Sequence, residues 1–243
     1  MKFKRYRKDA DYSYCLGVFP SLELLEHRPE QLLQVFAHSQ GMDSPGVQRV
    51  AAICAAKGVS FEVNDKAIAR LSHKGNIYLI ALFAKYQQRL EPNLHHLLLV
   101  NPSDSGNLGT IMRSMLAFGL RDLALISPAV DAFHPQTLRA AMGARFALRL
   151  HYVESLEAYQ QHYALAERQL YPFMLEAASD VAEVSFQPPS TLIFGNESTG
   201  LPAHYRHCGQ AVYIPQSPLV DSLNLAVAVG IGLYALQQSA TGV

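Results

Sequence analysis

HLLLVNPSDSGNLGTIMRSMLAF, residues 96–118, decides the fold class. After His96 the run is apolar through Val100. A short continuous apolar run of this kind reads as a strand buried on both faces, the habit of a parallel sheet covered by helices. A loop of Ser, Asp and Gly follows, and then a helix predicted over 108–118. Working outward, the alternation repeats. Downstream, strands are expected at 123–127, 170–175, 191–194 and 212–214. Helices are expected at 137–142, 156–164 and 222–236. Upstream, strands at 32–37, 59–63 and 77–83 alternate with helices at 47–57 and 64–71, with Asn64 or Asp65 able to cap the last. That βαβαβ order predicts a small α/β domain with a mixed or parallel sheet. Pro92, in Glu91-Pro92-Asn93, disfavours helix at the residue before it and marks a linker. The expected organisation is a flexible basic tail at 1–10, a small α/β domain at 11–90 and a parallel-sheet α/β domain at 94–243.

Composition narrows the function classes. Hydrophobic residues make up 49% of 243, enough for a substantial core. The longest apolar run, 223–236, carries Asn224 and falls short of the roughly 20 residues a membrane helix needs. No apolar signal-peptide core follows the basic start. Cys15, Cys54 and Cys208 form neither a disulfide framework nor a metal-ligand spacing, which suits a reducing, cytoplasmic setting. The formal net charge of zero hides an asymmetry: residues 1–90 hold 13 Lys+Arg against 8 Asp+Glu, and residues 91–243 hold 7 against 12. A basic first half suits a polyanionic partner, and equally an ordinary solvated surface. No G-x-G-x-x-G follows a strand, no Walker lysine follows Gly46, and no G-x-S-x-G elbow occurs. The ten histidines are spread out, so no metal site is expected.

Three segments carry chemistry. In the first, Asn107 can cap the coming helix, Gly109 allows close approach, and Arg113 lies one and a half turns beyond Asn107. A helix start attracts anions and an arginine adds a phosphate fork; an ordinary capped helix with a surface arginine fits as well. In the second, the strand 191–194 runs into Gly195-Asn196-Glu197-Ser198-Thr199-Gly200-Leu201. Ligands in α/β folds collect beyond the carboxyl ends of strands, and a glycine there exposes backbone groups to a flat ring. A tight turn with a solvated Glu197 is the plainer alternative. In the third, Val212-Tyr213-Ile214-Pro215 leads to a polar loop, a cap at Asp221 or Ser222, and an apolar helix entered by Asn224. A buried amide needs a partner, from a ligand or a second polar segment.

Together these segments resemble the three motifs of the SpoU/TrmH family of RNA 2′-O-methyltransferases. The first matches through Asn107, Gly109 and Arg113. The second matches through Phe194, Gly195, Glu197, Gly200 and Leu201, and the third through Ile214, Pro215, Ser222, Leu223 and Asn224. Gly143-Ala144-Arg145-Phe146 resembles the region between the first two motifs. The likeness covers residues 94–238. Residues 11–90 more loosely resemble the small ribosomal-protein-like RNA-binding domain that precedes the catalytic domain in many members. Gln216-Ser217-Pro218, Asp221 and Met142 depart from the family pattern, next to the expected cofactor or substrate.

The resemblance implies a deep trefoil knot of the SPOUT type, S-adenosylmethionine as cofactor, rRNA or tRNA as substrate, and a homodimer with a shared active site. It implies neither membrane nor metal. Gly195, Ile214 and Leu223, with Ile193, Phe194 and Asn224 alongside, would cradle the cofactor. Arg113, Glu197, Ser222, Asn224 and Asn107 would form the catalytic set. The resemblance makes Arg113 the general base; because a guanidinium stays protonated, the physical alternative is that Arg113 grips the phosphate beside the target ribose and stabilises developing oxyanion charge. Glu197 would orient Arg113 or another donor. Two other functions fit the same fold: an RNA-binding dimer without catalysis, and a methyltransferase acting on a base nitrogen.

Overall fold

A computed structural model describes residues 4–72, 76–163 and 167–241. Residues 1–3 of the expected tail, 73–75, 165–166 and 242–243 of the expected domains, and Ala164, the expected end of a helix, lie outside them. The chain divides into two units, 1–86 with 131–147, and 87–130 with 148–243.

The first unit opens with β1 (Tyr12–Leu16), α1 (Val18–His27), β2 (Leu32–Ala37), α2 (Pro45–Lys57), β3 (Ser60–Val63), α3 (Asp65–Leu71) and β4 (Leu79–Ala84). Its four-stranded sheet has the order β1-β4-β2-β3, with β2 and β3 parallel and the other pairs antiparallel. The mixed sheet agrees with expectation, and so does the cap of α3: Asn64 Oδ1 accepts from the Ala67 amide at 2.9 Å. The pair β1 and α1 was not expected. Helix α1 starts at Gly17, at φ 104°, without a side-chain cap, and carries Pro20 in its first turn, so the usual start signals are missing.

The second unit begins with β5 (His96–Val100), α4 (Ser105–Ala117) and β6 (Asp122–Ile126). The chain then contributes α5 (Pro135–Ala140) and α6 (Ala144–Ala147) to the first unit, where Phe133, Leu138 and Phe146 share one core with Leu24, Val35 and Phe83. Phe83 and Phe146 meet edge to face with centroids 5.3 Å apart. The second unit resumes with β7 (Arg149–Val153), α7 (Leu156–Tyr163), β8 (Gln169–Pro172), β9 (Ser179–Asp180), β10 (Ser190–Phe194), β11 (Val212–Tyr213) and α8 (Leu225–Thr241).

Five strands form a wholly parallel sheet, order β7-β6-β5-β10-β8, with β9 and β11 paired beside it. Every residue of β5, β6 and β10 is buried. Ile193 shares a core with Tyr159 of α7. Its neighbour Phe194 faces the other way, where a Cβ on Gly232 of α8 would come within 2.9 Å of the ring. Adjacent strand residues point to opposite faces, so helices cover both sides. Strand β7 was not expected. It lies at the sheet edge with the mixed sequence Arg-Leu-His-Tyr-Val, and only Leu150 and Val153 are buried.

A polar network closes the amino ends of the central strands. The Asp122 carboxylate accepts Arg149 Nε at 2.6 Å and the Glu91 amide at 2.8 Å. His96 Nδ1 meets Tyr159 Oη at 2.7 Å, and that hydroxyl meets Thr191 Oγ1 at 2.7 Å. Arg168 donates to the carbonyls of Pro92, Leu94, Tyr163 and Ser190. The segment around Pro92, read as a linker, is therefore tied to the second unit by satisfied hydrogen bonds.

Candidate active site

The three chemical segments converge at the carboxyl ends of β5 and β10. Asn101 follows β5 with φ 51°, a conformation Asn tolerates better than most residues. Its carbonyl accepts Asn196 Nδ2 at 2.8 Å, joining the first segment to the second. Glu197 strengthens that joint. Its carboxylate accepts the amides of Ser103 and Asp104 at 3.1 Å, the Ser103 hydroxyl at 2.8 Å and Asn107 Nδ2 at 3.4 Å. Burial alone would push the Glu197 carboxyl up, but these donors outweigh it and hold the group below the usual carboxylate range. The third segment joins through Asn224, whose Nδ2 donates to Asn107 Oδ1 at 3.0 Å. Asn107 is thus the shared partner of Glu197 and Asn224.

Two capping expectations are corrected. Asp104, not Asn107, caps α4, its carboxylate accepting the Asn107 amide at 2.7 Å. The loop after β5 is shorter than expected, so the helix begins earlier and Arg113 sits deeper along it. Helix α8 starts at Leu225, so neither Asp221 nor Ser222 caps it. Asn224 does, accepting the Ala226 amide at 2.9 Å. Asn224 is exposed rather than a buried amide, because it ends the loop instead of entering the helix.

Beside this junction lies a cavity of about 550 Å³, within the range of small-ligand sites. Its apolar wall includes Phe173, Phe194, Ile214, Leu223 and Leu225. Phe173 and Phe194 stack with centroids 4.3 Å apart and planes 18° from parallel. Gly195, Glu197 and Ser222 also border it. Gly195 is required by the turn itself. Asn196 and Gly200 exchange two backbone hydrogen bonds, and a Cβ on Gly195 would fall 2.1 Å from the Gly200 carbonyl carbon. A larger residue there would therefore disturb the loop as well as the cavity. Among the described residues, no hydrogen bond uses the backbone of Ile214, Ser222 or Leu223. Free backbone groups beside an apolar aromatic wall fit a purine ring, which needs both stacking and edge-on hydrogen bonds.

Not every expected residue reaches the cavity. Ile193 is buried within β10, its carbonyl accepting the Phe173 amide at 2.8 Å, and does not border it. Asn224 and Asn107 stand at its edge without lining it. Arg113 lies on an exposed face of α4, six residues beyond Asn107, or about 9 Å along the axis. It has no hydrogen bond or ion pair among the described residues, and Glu197 does not orient it. Sequence reasoning missed Asn101, Ser103, Asn196, Glu176 and Arg206. Glu176 and Arg206 border the cavity and pair at 2.7 Å. Asn101 alone left a signal, as the residue directly after an unbroken strand.

Among the described residues no group of three or more His, Cys, Asp or Glu could hold a metal, and no helix is long and apolar enough to cross a membrane.

Comparison with known proteins agrees with this geometry. An uncharacterized tRNA/rRNA methyltransferase of Synechocystis is 37% identical over 139 residues, covering 57% of this chain and 51% of that protein. The chain thus matches about half the length of that relative. A 23S rRNA (guanosine-2′-O-)-methyltransferase of Acinetobacter baylyi is 26% identical over 93% of this chain and 96% of its own. The crystal structure of an AdoMet-bound rRNA methyltransferase from Sinorhizobium meliloti superposes with a TM-score of 0.80 at 27% identity, covering 94% of this chain and 87% of that one. Residues 95–234 match the model of the SpoU rRNA Methylase family, a span that holds all three segments. The chain belongs to the SpoU rRNA methylase family.

Proposed function

We propose that this chain transfers a methyl group from S-adenosylmethionine to a ribose 2′-hydroxyl of rRNA or tRNA. One observation carries the reading: Glu197 and Asn224, from two segments, both hold Asn107 of a third beside one aromatic cavity. S-adenosylmethionine supplies an already activated methyl on its sulfonium, so the protein's work is placement and charge. Phe194, Gly195, Ile214 and Leu223 would hold the adenosine. The Ser222 hydroxyl borders the cavity and is exposed, free to meet cofactor or ribose. Glu197 fixes the first segment. Arg113 would grip the phosphate next to the target ribose and, staying protonated, stabilise the oxyanion as the hydroxyl gives its proton to solvent water.

Arg113 stands outside the cavity of its own chain, which supports a homodimer in which a second copy completes each site. Val227 and Tyr234, on α8, are 51% and 55% exposed and offer an apolar face for that packing. The parallel strand order and the likeness to the Sinorhizobium meliloti protein support a C-terminal trefoil knot of the SPOUT type. Exposed Arg49, Lys57, Lys66 and Arg70 support a role for the first unit in holding RNA. An RNA substrate suits a cytoplasmic setting. The test is a map of 2′-O-methyl sites in total RNA from a strain lacking this protein and from its parent. At least one site should vanish. An unchanged map, or loss of a base methyl instead, would contradict the reading.

A further inference from the structure

We propose that Arg206, with Glu176 beside it, binds the amino-acid end of S-adenosylmethionine. The inference rests on the methyl-donor reading of the cavity and goes further by assigning its charged end. Arg206 lies in the 3-10 turn Ala203–His207, which is anchored by buried Tyr205. Glu176 lies in the loop after β8. Arg206 Nη2 donates to Glu176 Oε2 at 2.7 Å, and both residues border the cavity.

Three features of the cavity converge on this pair. First, the donor molecule has an apolar, flat adenosine end and a zwitterionic end, and the cavity is divided in the same way. The side chains of Phe173, Phe194, Ile214 and Leu223 offer nothing to a carboxylate, whose burial without a partner is costly. Second, the ionisable residues bordering the cavity are Glu176, Glu197, Arg206 and Asp221. Among the described residues Arg206 is the only cation bordering it, and the Glu197 oxygens already serve Ser103, Asp104 and Asn107. Third, the pair has bonding capacity to spare. A guanidinium carries five donors in a planar fork, and Glu176 engages one of its nitrogens. The remaining edge can take a carboxylate in bidentate fashion. The second oxygen of Glu176 has no hydrogen bond among the described residues and can accept from the ammonium. The side chains are 42% and 84% exposed, so the pair contributes little to folding by itself.

The test is titration calorimetry on the full chain with S-adenosylmethionine, S-adenosylhomocysteine and 5′-methylthioadenosine. The last two share a neutral sulfur and differ by the amino-acid end. Arg206→Ala should weaken S-adenosylmethionine and S-adenosylhomocysteine about tenfold, the range of a partly exposed charged hydrogen bond, and leave 5′-methylthioadenosine within about twofold. Glu176→Gln should show the same pattern at smaller size. Equal weakening of all three ligands would assign Arg206 a structural role and overturn the proposal, as would unchanged affinity for all three. If wild-type protein bound none of them, the methyl-donor reading itself would fall, and this assignment with it.

Discussion

Glu197→Gln is the most informative single change in the site, because its effect can be worked from the geometry. One carboxylate oxygen accepts the Asp104 amide at 3.1 Å and Asn107 Nδ2 at 3.4 Å; the other accepts the Ser103 amide at 3.1 Å, the Ser103 hydroxyl at 2.8 Å and Asn196 Nδ2 at 3.2 Å. An amide must turn its NH2 toward one of these sets, so it loses about half the bonds and sets donor against donor. Hydrogen bonds to a charged group contribute roughly 1.5–3 kcal/mol each. The cluster is half-buried and the bonds share one charge, so the expected loss is about 2 kcal/mol. Urea unfolding should show a lower midpoint with an unchanged slope. The amides of Ser103 and Asp104 should exchange with solvent faster. Because the folded carboxyl lies below the usual range, its contribution is present above roughly pH 4.3 and is lost as pH falls through the folded value. The gap between wild type and variant should therefore close in acid. Equal midpoints at neutral pH, with unchanged exchange at both amides, would refute the role assigned to Glu197.

Asn224→Asp keeps an acceptor for the Ala226 amide but loses the donor to Asn107, whereas Asn224→Ala loses both; thermal unfolding should rank them wild type, Asp, Ala, with the alanine variant about 1–2 kcal/mol down. Burial, followed by the nearby Arg168 charge, pushes the His96 imidazole well below its usual pKa. Its neutral form then favours the fold above roughly pH 6.5, and stability should drain as pH drops from there toward the folded value; His96→Gln should flatten that slope, and an unflattened slope would remove His96 as its cause. Charge reversal at Arg49, Lys57, Lys66 and Arg70 should weaken RNA binding and reduce its dependence on salt concentration, as filter binding at several salt concentrations can read. An unaltered salt slope would take these residues out of the RNA interface.

The sequence made the second unit more legible than the first. Strands β5, β6 and β10 are central and buried on both faces, so their apolar runs carry little ambiguity. Strand β7 is an edge, and its exposed and half-buried positions accept Arg149, His151 and Tyr152, which erased the run. Helix α1 went unseen because a glycine at φ 104° and a proline replace the usual cap. That residues 131–147 pack with residues 1–86 could not be read either, since local periodicity says nothing about which core a helix joins. One consequence is practical: cutting the chain near residue 90 would strip Phe133, Leu138 and Phe146 of their core. In the site, Phe194, Gly195, Glu197, Ile214, Ser222, Leu223 and Asn224 lie around Asn107 and the cavity, while Arg113, also matched by motif, lies apart from them. Asn196, Glu176 and Arg206 are set by tertiary geometry, which no spacing encodes, whereas Asn101 is marked by its place directly after β5. The cap positions were misplaced because Asp104, Asn107, Asp221, Ser222 and Asn224 are all competent caps, and loop length chooses among them.

The central claim is transfer of a methyl group to a ribose hydroxyl with Arg113 at the reacting centre. Its most direct test is single-turnover transfer from S-adenosylmethionine carrying a labelled methyl group to RNA extracted from cells lacking the protein, followed by digestion to nucleosides. With wild-type protein the label should appear in a 2′-O-methyl nucleoside. Arg113→Lys and Arg113→Ala should cut the rate by roughly a hundredfold or more, in the range of a lost charge-stabilising donor, with calorimetric binding of S-adenosylmethionine retained. Label on a base, no label from a protein that binds the donor, or near-normal turnover by Arg113→Lys would contradict the account.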